Sequence, residues 1–362
     1  MMTAPAIGTW AVVALLMALP AFLAPAGAGP SGSGLTTVAE VANYMGEDRQ
    51  ARLEAGARAE GFVMIYTSMD IEESQPILDA FTKKYPFLRG EIYRASGEDV
   101  AQKIITEYRG RKYVADLFEG TGIDVAKMLK DGFGQSYFTP RAGTYPRQAK
   151  DVKGYWVATR YNMLVAAWNT NLVSDANSPR RYEDLADARW RSRIGIEAED
   201  QVWLATLLEH WGESKAMEFF RRISEQQLLI RKGHTLLAEL IVAGEVPMSP
   251  TIYNHRPERL KRRRAPIEWR PLEPVVAVPH VVSLPKNAPH PHAAMLFVDF
   301  LLSPEGQQEL VKLGRIPAHP FVKADPPHLN QGFVYRAIDP NLFLDKYARY
   351  DQLWQDLIMR RR

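Results

Sequence analysis

Hydrophobic residues in the first part of the chain follow two spacings, and each change of spacing predicts a change of secondary structure. Short apolar runs that end in small polar residues predict buried strands, and apolar residues three or four positions apart predict amphipathic helices. After a helical segment over residues 35–59, three strand–helix units are predicted: strands over 61–68, 90–96 and 113–120, and helices over 73–86, 97–110 and 122–132. Repeated units of this kind predict a parallel sheet covered by helices.

The same patterns return after residue 155. They predict strands over 163–168, 194–196 and 273–285, and helices over 202–227, 235–243 and 290–314. Gly212 is predicted to divide the first of these helical stretches, and Ser303-Pro304 the last. Because the chain has no internal repeat and no long Gly/Ser linker, we expect two α/β lobes joined by short crossings.

Small or polar residues stand at the carboxyl ends of the first three predicted strands. Ligands bind beyond such strand ends in α/β sheets, where N–H groups at helix starts can point at an anion. The same residue types are also favoured in turns and helix N-caps, so that interpretation stays open for each of them. The predicted ligand-lining residues from this edge are Thr67, Ser68, Ser96, Gly97, Glu119 and Thr121.

The N-terminus has a different composition from the rest of the chain. Its first 34 residues contain no Lys, Arg, Asp or Glu, and residues 10–23 are almost purely apolar. Small residues that fit a small-x-small cleavage site follow, which is typical of a secretory signal peptide over residues 1–28. An uncleaved membrane anchor is the alternative, although the apolar run is short for a membrane span.

Composition narrows the function classes. With 46% hydrophobic and 24% charged residues, the chain is typical of a soluble globular protein. A net charge of only +3 argues against a nucleic-acid binder, which usually carries a larger excess of cations. Because there are no cysteines, disulfides, thiolate catalysis, Cys-ligated zinc and a lipoprotein anchor are excluded. We therefore expect a periplasmic protein that is secreted through a cleaved signal peptide and is not lipidated.

A specific combination of residues near the C-terminal end resembles a known family. There, a Lys-x-Asn-Pro-x-Pro turn precedes a helix that ends Phe-x-x-Phe-Leu-Leu-Ser-x-Glu-Gly-Gln. The residues that carry this resemblance are Lys286, Asn287, Pro289, Pro291, Phe297, Phe300, Leu301, Leu302, Ser303, Glu305, Gly306 and Gln307. With agreeing stretches upstream, the resemblance to the family 1 periplasmic solute-binding proteins of ABC importers covers about residues 58–320. Within that family, the chain resembles the branch of the ferric-iron-binding proteins.

The resemblance implies a type II periplasmic binding protein: two lobes hinged around a cleft, each a mainly parallel sheet with helices on both faces. Such proteins close on a ligand by a hinge motion, and the closed form is recognised by a membrane permease and its ATPase. We expect residues 58–155 plus 276–318 in lobe 1, residues 156–275 in lobe 2, and residues 319–362 as a helical tail packed on a lobe. The resemblance also implies a monomer without cofactors that binds a small molecule or a metal; docking on a receptor as a ligand sensor stays open.

Ferric members of the family hold iron with two adjacent tyrosines, a His or Tyr after the first strand, and often a carboxylate. Here Tyr253 is followed by Asn254, and Asp70 stands near the end of the first strand. An iron site would therefore have to use Tyr253, Asp70, Glu119 and His255, which form an unusual oxygen-rich set. Because the tyrosine pair is missing, this is the alternative and not the preferred prediction.

The preferred prediction is a metal-free site for a small organic or phosphorylated anion. Arg160, Arg231 and His234 are the candidate charge partners, since a guanidinium binds carboxylate or phosphate through two hydrogen bonds. Tyr161, Tyr253 and Asn254 could donate further hydrogen bonds. For Arg231 and His234, a solvated loop or a cap before the helix near Thr235 stays open.

Other motifs point to structure rather than chemistry. We interpret the cations of residues 259–264 as a short solvated helix after Pro257, with a docking patch as the alternative. His290 and His292 are interpreted as part of a structural turn, with metal binding as the alternative. Ser283-x-x-Lys286 lacks the companion motifs of penicillin-recognising hydrolases, and His-Glu-x-x-His is absent, so no enzyme is predicted.

Overall fold

The structure is a computed structural model, and it describes residues 34–360. The predicted signal peptide, residues 1–28, lies outside the described residues. Among the helices of residues 34–360, none combines the length and the apolar character needed to cross a bilayer.

The described residues form a mixed α/β fold. Its strands are β1 (Phe62–Thr67), β2 (Arg89–Arg94), β3 (Leu117–Thr121), β4 (Gly134–Gln135), β5 (Val157–Asn169), β6 (Gly195–Glu197), β7 (Leu229–Arg231), β8 (Met248–Tyr253), β9 (Ile267–Arg270), β10 (Val275–Pro285), β11 (Ile316–Pro317) and β12 (Tyr335–Ala337). Its α-helices are α1 (Val38–Asn43), α2 (Arg49–Glu60), α3 (Ile71–Lys84), α4 (Gly97–Arg109), α5 (Gly122–Lys130), α6 (Gln201–Trp211), α7 (Glu213–Ser224), α8 (His234–Ala243), α9 (His255–Arg262), α10 (Pro291–Leu301), α11 (Pro304–Lys312), α12 (Pro340–Asp345) and α13 (Tyr347–Trp354). Short 3-10 segments lie at Pro140–Thr144, Arg147–Ala149, Asp175–Asn177, Tyr182–Ala186, Ala188–Trp190 and Pro327–Leu329, and a π-helical turn at Gln355–Met359.

The three predicted strand–helix units are present as β1–α3, β2–α4 and β3–α5. Strand β1 pairs in parallel with both β2 and β3, as the alternation of elements requires. The N-cap interpretation also applies at two of the strand ends, because Ser96 Oγ accepts from the N–H of Asp99 and Thr121 Oγ1 from that of Asp124. The single helix expected over residues 35–59 is instead two helices, α1 and α2, with a break over residues 44–48.

Two long strands, β5 and β10, connect the parts of the fold. They pair antiparallel with each other, and β10 also pairs antiparallel with β3. Farther along, β5 pairs antiparallel with β8 and β9, and a parallel bridge between Ile194 and Met248 leads on to the parallel pair β6–β7. The fold therefore has a parallel group at each end and two antiparallel strands that run between them.

Three hydrophobic cores surround these strands. The first contains Val63, Phe81, Leu117, Val157, Val281 and Leu296. The second contains Leu164, Trp168, Trp203, Phe220 and Val276, and the third contains Met163, Val165, Ile241, Ile252 and Val275. Successive residues of β5 and β10 alternate between the second and third cores because side chains along a strand point to opposite faces. Both strands reach the first core at their other ends.

The tail packs mainly against the second core. Phe343, Tyr350 and Trp354 are buried there, and the indole N–H of Trp354 donates to the carbonyl of Ala198 at 2.7 Å. The tail also touches the first part of the chain, since Asn341 Nδ2 donates to Asp151 Oδ1 at 2.9 Å. It is therefore anchored by apolar packing at one end of the fold and by a hydrogen bond to the other.

The histidines before α10 have structural partners. His290 contacts Asp116 through its backbone N–H and through Nδ1, at 2.7 and 2.8 Å. His292 lies against Gly56, where an added Cβ would come within 2.2 Å of the imidazole ring, so this contact requires glycine. Glu60, the last residue of α2, accepts hydrogen bonds from the N–H of His292 and Ala293 and contacts His292 Nδ1.

Because Glu60 caps the start of α10, Glu60→Ala is expected to lower the free energy of unfolding by about 2 to 3 kcal/mol. Glu60→Gln keeps one amide oxygen as an acceptor and is expected to lower it less. Urea unfolding followed by circular dichroism measures both effects, with Glu54→Ala on the same helix as control. If Glu60→Ala and Glu54→Ala lost the same free energy, the capping role would be wrong.

Candidate functional site: a two-pole cavity

A cavity of about 240 Å³ lies where the ends of the two parallel groups face each other. One wall comes from the ends of β1, β2 and β3, with Ser68, Ser96, Gly97 and Thr121. The opposite wall comes from residues at or just after the carboxyl ends of β6, β7 and β8, and β5 and β10 supply the base. The lining residues of the opposite wall and the base include Glu197, Asp200, His234, Tyr253, His255, Arg160, Asn162 and His280.

Eight of the residues singled out from the sequence line this cavity. They are Ser68, Ser96, Gly97, Thr121, Arg160, His234, Tyr253 and His255. Ser96 and Thr121 cap helices and also line the cavity, so a capping role does not exclude a place in the lining. The structure therefore brings together, from both halves of the chain, residues that were selected separately by the strand ends, by the search for anion partners and by the family resemblance.

The other predicted site residues lie outside the lining. Thr67 Oγ1 donates to Glu119 at 2.7 Å, and both residues are buried behind the wall. The Nδ2 of Asn254 donates to the carbonyl of Leu329 at 2.7 Å. Arg231 is exposed and donates to the carbonyl of its neighbour Ile230.

Asp70 and Tyr161 also lie outside the lining. Asp70 forms ion pairs with Arg94 and Arg256, both of which do line the cavity. Tyr161 packs against the first and third hydrophobic cores. Burial raises the pKa of Tyr161 to about 12, so its hydroxyl stays protonated at neutral pH. Because Arg94 and Arg256 line the cavity and Asp70 does not, Asp70 affects the cavity through these two arginines.

Arg160 is the most deeply buried cation of the cavity. Its guanidinium is fully buried, pairs with Glu119, and donates through Nη2 to His280 Nδ1 at 2.9 Å. Burial and the neighbouring guanidinium of Arg160 hold the pKa of His280 well below its usual range. His280 is therefore neutral, and its ring nitrogen can accept from Arg160.

Two further arginines line the cavity beside Arg160. Arg256 pairs with Asp70, and Arg315 Nη2 lies 3.0 Å from Glu73 Oε2. Arg315 is 3% exposed, and burial lowers its pKa to about 9 even though Glu73 opposes that shift. Each arginine has one carboxylate partner, and a guanidinium has five N–H donors, so donors remain for a ligand.

Neutral polar groups near these arginines lack partners. Within the described residues, Ser68 Oγ and both ring nitrogens of His255 are buried without a hydrogen bond. Burial, and then Arg315 and Arg256, hold the pKa of His255 well below its usual range. A buried polar group without a partner costs free energy that a bound ligand can recover. We call Ser68, Arg160, His255, Arg256 and Arg315 the cationic pole.

An opposite charge gathers at the other end of the cavity. Glu197 Oε1 accepts from the N–H of Gly233 at 2.8 Å, and His234 Nε2 lies 3.3 Å from Asp200 Oδ1. Burial raises the pKa of Glu197, and the nearby Asp200 adds to the shift. Although burial alone lowers the pKa of His234, Asp200 and Glu197 raise it above its usual value. We call Glu197, Asp200 and His234 the acidic pole.

Several lining residues were not predicted from the sequence. Glu197 and Asp200 stand at the carboxyl end of β6, so the argument used for β1 to β3 would have found them if applied there. Arg256 directly follows His255, which the sequence had offered as a candidate iron ligand. Arg315, Phe343 and Tyr347 come from the C-terminal part of the chain, where no pattern pointed to the cavity.

Helix α9 was interpreted as solvated, and this is only partly correct. Lys261, Arg262 and Arg263 are exposed, as that interpretation requires. Arg259, however, reaches α3, where its Nη1 lies 3.0 Å from the buried Glu73 Oε1. The ion pairs Glu73–Arg259 and Asp70–Arg256 therefore connect the start of α3 to α9.

A second contact between the two walls involves two carboxyl groups. Glu98 of α4 and Glu199, which follows β6, share a hydrogen bond, and Lys232 lies 3.5 Å from Glu98 and 3.1 Å from Glu199. Burial and the bond to Glu98 raise the pKa of Glu199 to about 7. The pair therefore holds a proton near neutral pH.

This raised pKa predicts a pH dependence. Glu199 binds more protons in the folded protein than in the unfolded chain between its usual pKa and about 7, so its contribution to stability is lost as pH rises through that range. We expect the melting temperature to fall more between pH 5 and 8 in the wild type than in Glu199→Gln. Thermal unfolding by circular dichroism measures this, with the exposed Glu225→Gln as control. Parallel pH profiles for wild type and Glu199→Gln would contradict the expectation.

Comparison with known proteins assigns the family. Residues 120–343 match the sequence profile of the family described as bacterial extracellular solute-binding protein, which is more than half of the chain. The chain belongs to this family. A function in binding a solute, and the two-lobe α/β class expected from the resemblance, are thereby confirmed; the ligand is not given by the family.

One sequence relative and two solved structures are similar to this chain. An uncharacterised protein of Haemophilus influenzae is 26% identical over 276 residues, which cover 72% of this chain and 79% of the relative. Iron-bound HitA from Pseudomonas aeruginosa has a TM-score of 0.71 at 18% identity, covering 82% of this chain and 99% of HitA. AfuA from Actinobacillus pleuropneumoniae, with fructose-6-phosphate bound, has a TM-score of 0.73 at 23% identity, covering 83% of this chain and 99% of AfuA. The solute-binding protein described here thus shares its fold with proteins that hold different ligands.

Proposed function

We propose that this solute-binding protein captures a small organic or phosphorylated anion in the periplasm and delivers it to the membrane permease of an ABC importer. The observation that carries the proposal is the cationic pole, where three buried arginines and unpartnered polar groups meet in one cavity. An anion with several acceptor oxygens can take the free guanidinium donors in paired hydrogen bonds. Export through the signal peptide of residues 1–28, without lipidation, belongs to the same proposal.

Capture would use a hinge between two lobes. We assign residues 58–155 plus 276–318 to lobe 1 and residues 156–275 to lobe 2, with the tail mainly on lobe 2. This division is supported by the separate hydrophobic cores and by β5 and β10, which run from one set of cores to the other. Because a solute in the cavity would contact both walls, its binding would favour the closed form that a permease recognises.

Iron fits this cavity poorly. Two of the four candidate iron ligands, Asp70 and Glu119, do not line the cavity and are paired with arginines. Burial, together with Asp200 and Glu197, holds the pKa of Tyr253 well above its usual range, which disfavours the phenolate that ferric iron needs. HitA binds iron on the same fold, so this difference comes from side chains and not from architecture.

We therefore expect Fe(III) to produce no visible tyrosinate charge-transfer band with the purified protein. Absorption spectra recorded during titration with ferric citrate measure this, with Tyr253→Phe as the matched variant. A strong band that disappears in Tyr253→Phe would show that iron is the cargo and would overturn the anion proposal.

Native mass spectrometry of the protein purified from a periplasm tests the proposed function directly. We expect a retained small anion that is released on unfolding, and a decrease in the radius of gyration in small-angle scattering when that anion is added back. Calorimetric titration with n-alkyl phosphates provides a defined probe if no solute is retained. No retained anion together with no binding of alkyl phosphates or carboxylates would contradict the proposal.

A further inference from the structure

The acidic pole is a second binding feature of the same cavity, and an anionic solute alone does not account for it. Asp200 is 2% exposed and Glu197 is 4% exposed, and both line the cavity. Among residues 34–360, no lysine or arginine forms an ion pair with either; His234 is the cationic partner of Asp200. Buried carboxylates normally have a cationic partner or several hydrogen bonds, because burying a charge without them is costly.

One carboxylate oxygen of this pole lacks a hydrogen-bond partner. Asp200 Oδ2 is buried and accepts no hydrogen bond within the described residues. Lys232, which also lines the cavity, pairs with Glu98 and Glu199 instead. A donor supplied by the ligand would therefore complete the hydrogen bonding of Asp200.

We propose that the acidic pole binds an ammonium group of the solute, so that the preferred ligand is a zwitterion whose anionic group lies at the cationic pole. This proposal rests on the proposed function and adds the substrate class. A simple anion would leave Asp200 Oδ2 without a hydrogen-bond donor, and a simple cation would leave the free guanidinium donors of the cationic pole without an acceptor. A zwitterion satisfies both ends of the cavity.

Tyr253 lies near one histidine ring of each pole. Its ring centroid lies 4.0 Å from that of His234 in the acidic pole and 6.2 Å from that of His255 in the cationic pole. The imidazole rings of His234 and His255, one from each pole, are therefore separated by no more than these two distances placed end to end. A short chain of carbon atoms spans such a gap, so both charged groups can belong to one small molecule.

The apolar and aromatic residues of the cavity lining suit an organic cation. Ile123, Val202, Phe343 and Tyr347 line the same cavity, and Lys127 already places its ammonium 5.5 Å from the centre of the Tyr347 ring. Apolar and aromatic surfaces of this kind pack against methylene groups and attract ammonium groups.

A divalent metal ion is the competing occupant of the acidic pole. Ligand atoms of Glu197, Asp200 and His234 lie within 4.8 Å of one another, a set of donors that could hold a metal ion. Both oxygens of Glu197 already accept backbone hydrogen bonds, however, and the raised pKa of His234 favours the protonated ring that cannot bind a metal. The apolar walls also suit an alkyl ammonium better than a hydrated ion.

Matched pairs of phosphates test the proposal. Affinities of the full mature protein for ω-aminoalkyl phosphates with two to six methylenes are compared with those for the n-alkyl phosphates of the same length, by calorimetry at pH 7. At one length, the amine is expected to bind about 10- to 100-fold more tightly than its alkyl match, as for a hydrogen bond between charged groups. In Asp200→Asn and in Glu197→Gln this ratio is expected to fall towards one, and in the exposed control Glu245→Gln it is expected to persist.

The outcomes separate this inference from the proposed function. If alkyl phosphates bind and no amine exceeds its alkyl match, the ammonium site is wrong while anion binding stands. If neither series binds, both proposals are contradicted. Binding of Zn²⁺ or Mn²⁺ alone, weakened in Asp200→Asn, would overturn the ammonium in favour of a metal site. Because Asp200 precedes α6, circular dichroism spectra of the variants establish that they are folded, and Glu197→Gln gives a second reading if Asp200→Asn is not.

Discussion

Replacing Arg160 with methionine is expected to lower the free energy of unfolding by about 3 to 5 kcal/mol, the effect of removing one partner of a buried ion pair. Methionine keeps much of the side-chain volume but removes the guanidinium that pairs with Glu119 and donates to His280. Within residues 34–360, Glu119 would then be a buried carboxylate held only by the hydroxyls of Thr67 and Thr159, at 2.7 and 3.1 Å. Urea unfolding measured by tryptophan fluorescence gives the change.

A double variant shows whether the loss comes from the stranded charge. Arg160→Met combined with Glu119→Gln removes that charge, so it is expected to recover part of the stability lost in Arg160→Met alone. The exposed Arg191→Met serves as the control for an arginine outside the cavity. If the double variant lost more free energy of unfolding than the two single variants lose in total, the ion-pair explanation would be wrong.

The elements that sequence predicted best are those specified by local pattern. The three units β1–α3, β2–α4 and β3–α5 follow from the spacing of apolar residues, and the break between α6 and α7 follows from Gly212. Gly212 lies there with a positive φ of 82°, a conformation that glycine adopts at little cost. Such features require no knowledge of distant residues, so a sequence can reveal them.

Strand β5 shows why the rest could not be predicted. Its apolar half was predicted as a strand over residues 163–168, but the strand begins at Val157 and includes the polar run of residues 159–162. Thr159, Arg160 and Asn162 are buried nevertheless, because partners from other strands satisfy them. A local hydrophobicity pattern predicts such polar residues to be exposed, because it carries no information about hydrogen-bond partners that are distant in sequence. Thr159, for example, donates to a carbonyl 121 residues away.

The candidate site, like the fold, was only partly predictable from the sequence. The strand-end rule found one wall, and the family resemblance found Tyr253 with its neighbours. Asp70 pairs with Arg256, 186 positions away, and Glu119 pairs with Arg160, 41 positions away. Because the sequence does not reveal such distant pairs, it could not show that these two carboxylates are unavailable to a ligand. Proteins with this fold hold iron or fructose-6-phosphate, so the ligand depends on such pairs and not on the fold.

The largest effect on affinity is expected from Arg256, which takes part in the cavity in two ways. It lines the cationic pole, and it pairs with Asp70 between the end of β1 and helix α9. Arg256→Gln removes both contributions, and we expect affinity for an n-alkyl phosphate to fall by up to about 100-fold, the effect of losing hydrogen bonds between charged groups.

Asp70→Asn separates these two contributions, because it weakens the pair and leaves the guanidinium free to bind the anion. If Arg256 contacts the anion, Asp70→Asn is expected to retain most of the affinity that Arg256→Gln loses. If the pair acts only by holding the two walls together, both variants are expected to lose affinity equally, which would contradict an anion contact at Arg256. Arg262→Gln, on the exposed side of α9, is the matched control, since its partner Glu258 lies on the same helix. Calorimetry on the three variants therefore distinguishes a ligand-binding arginine from one that closes the cavity.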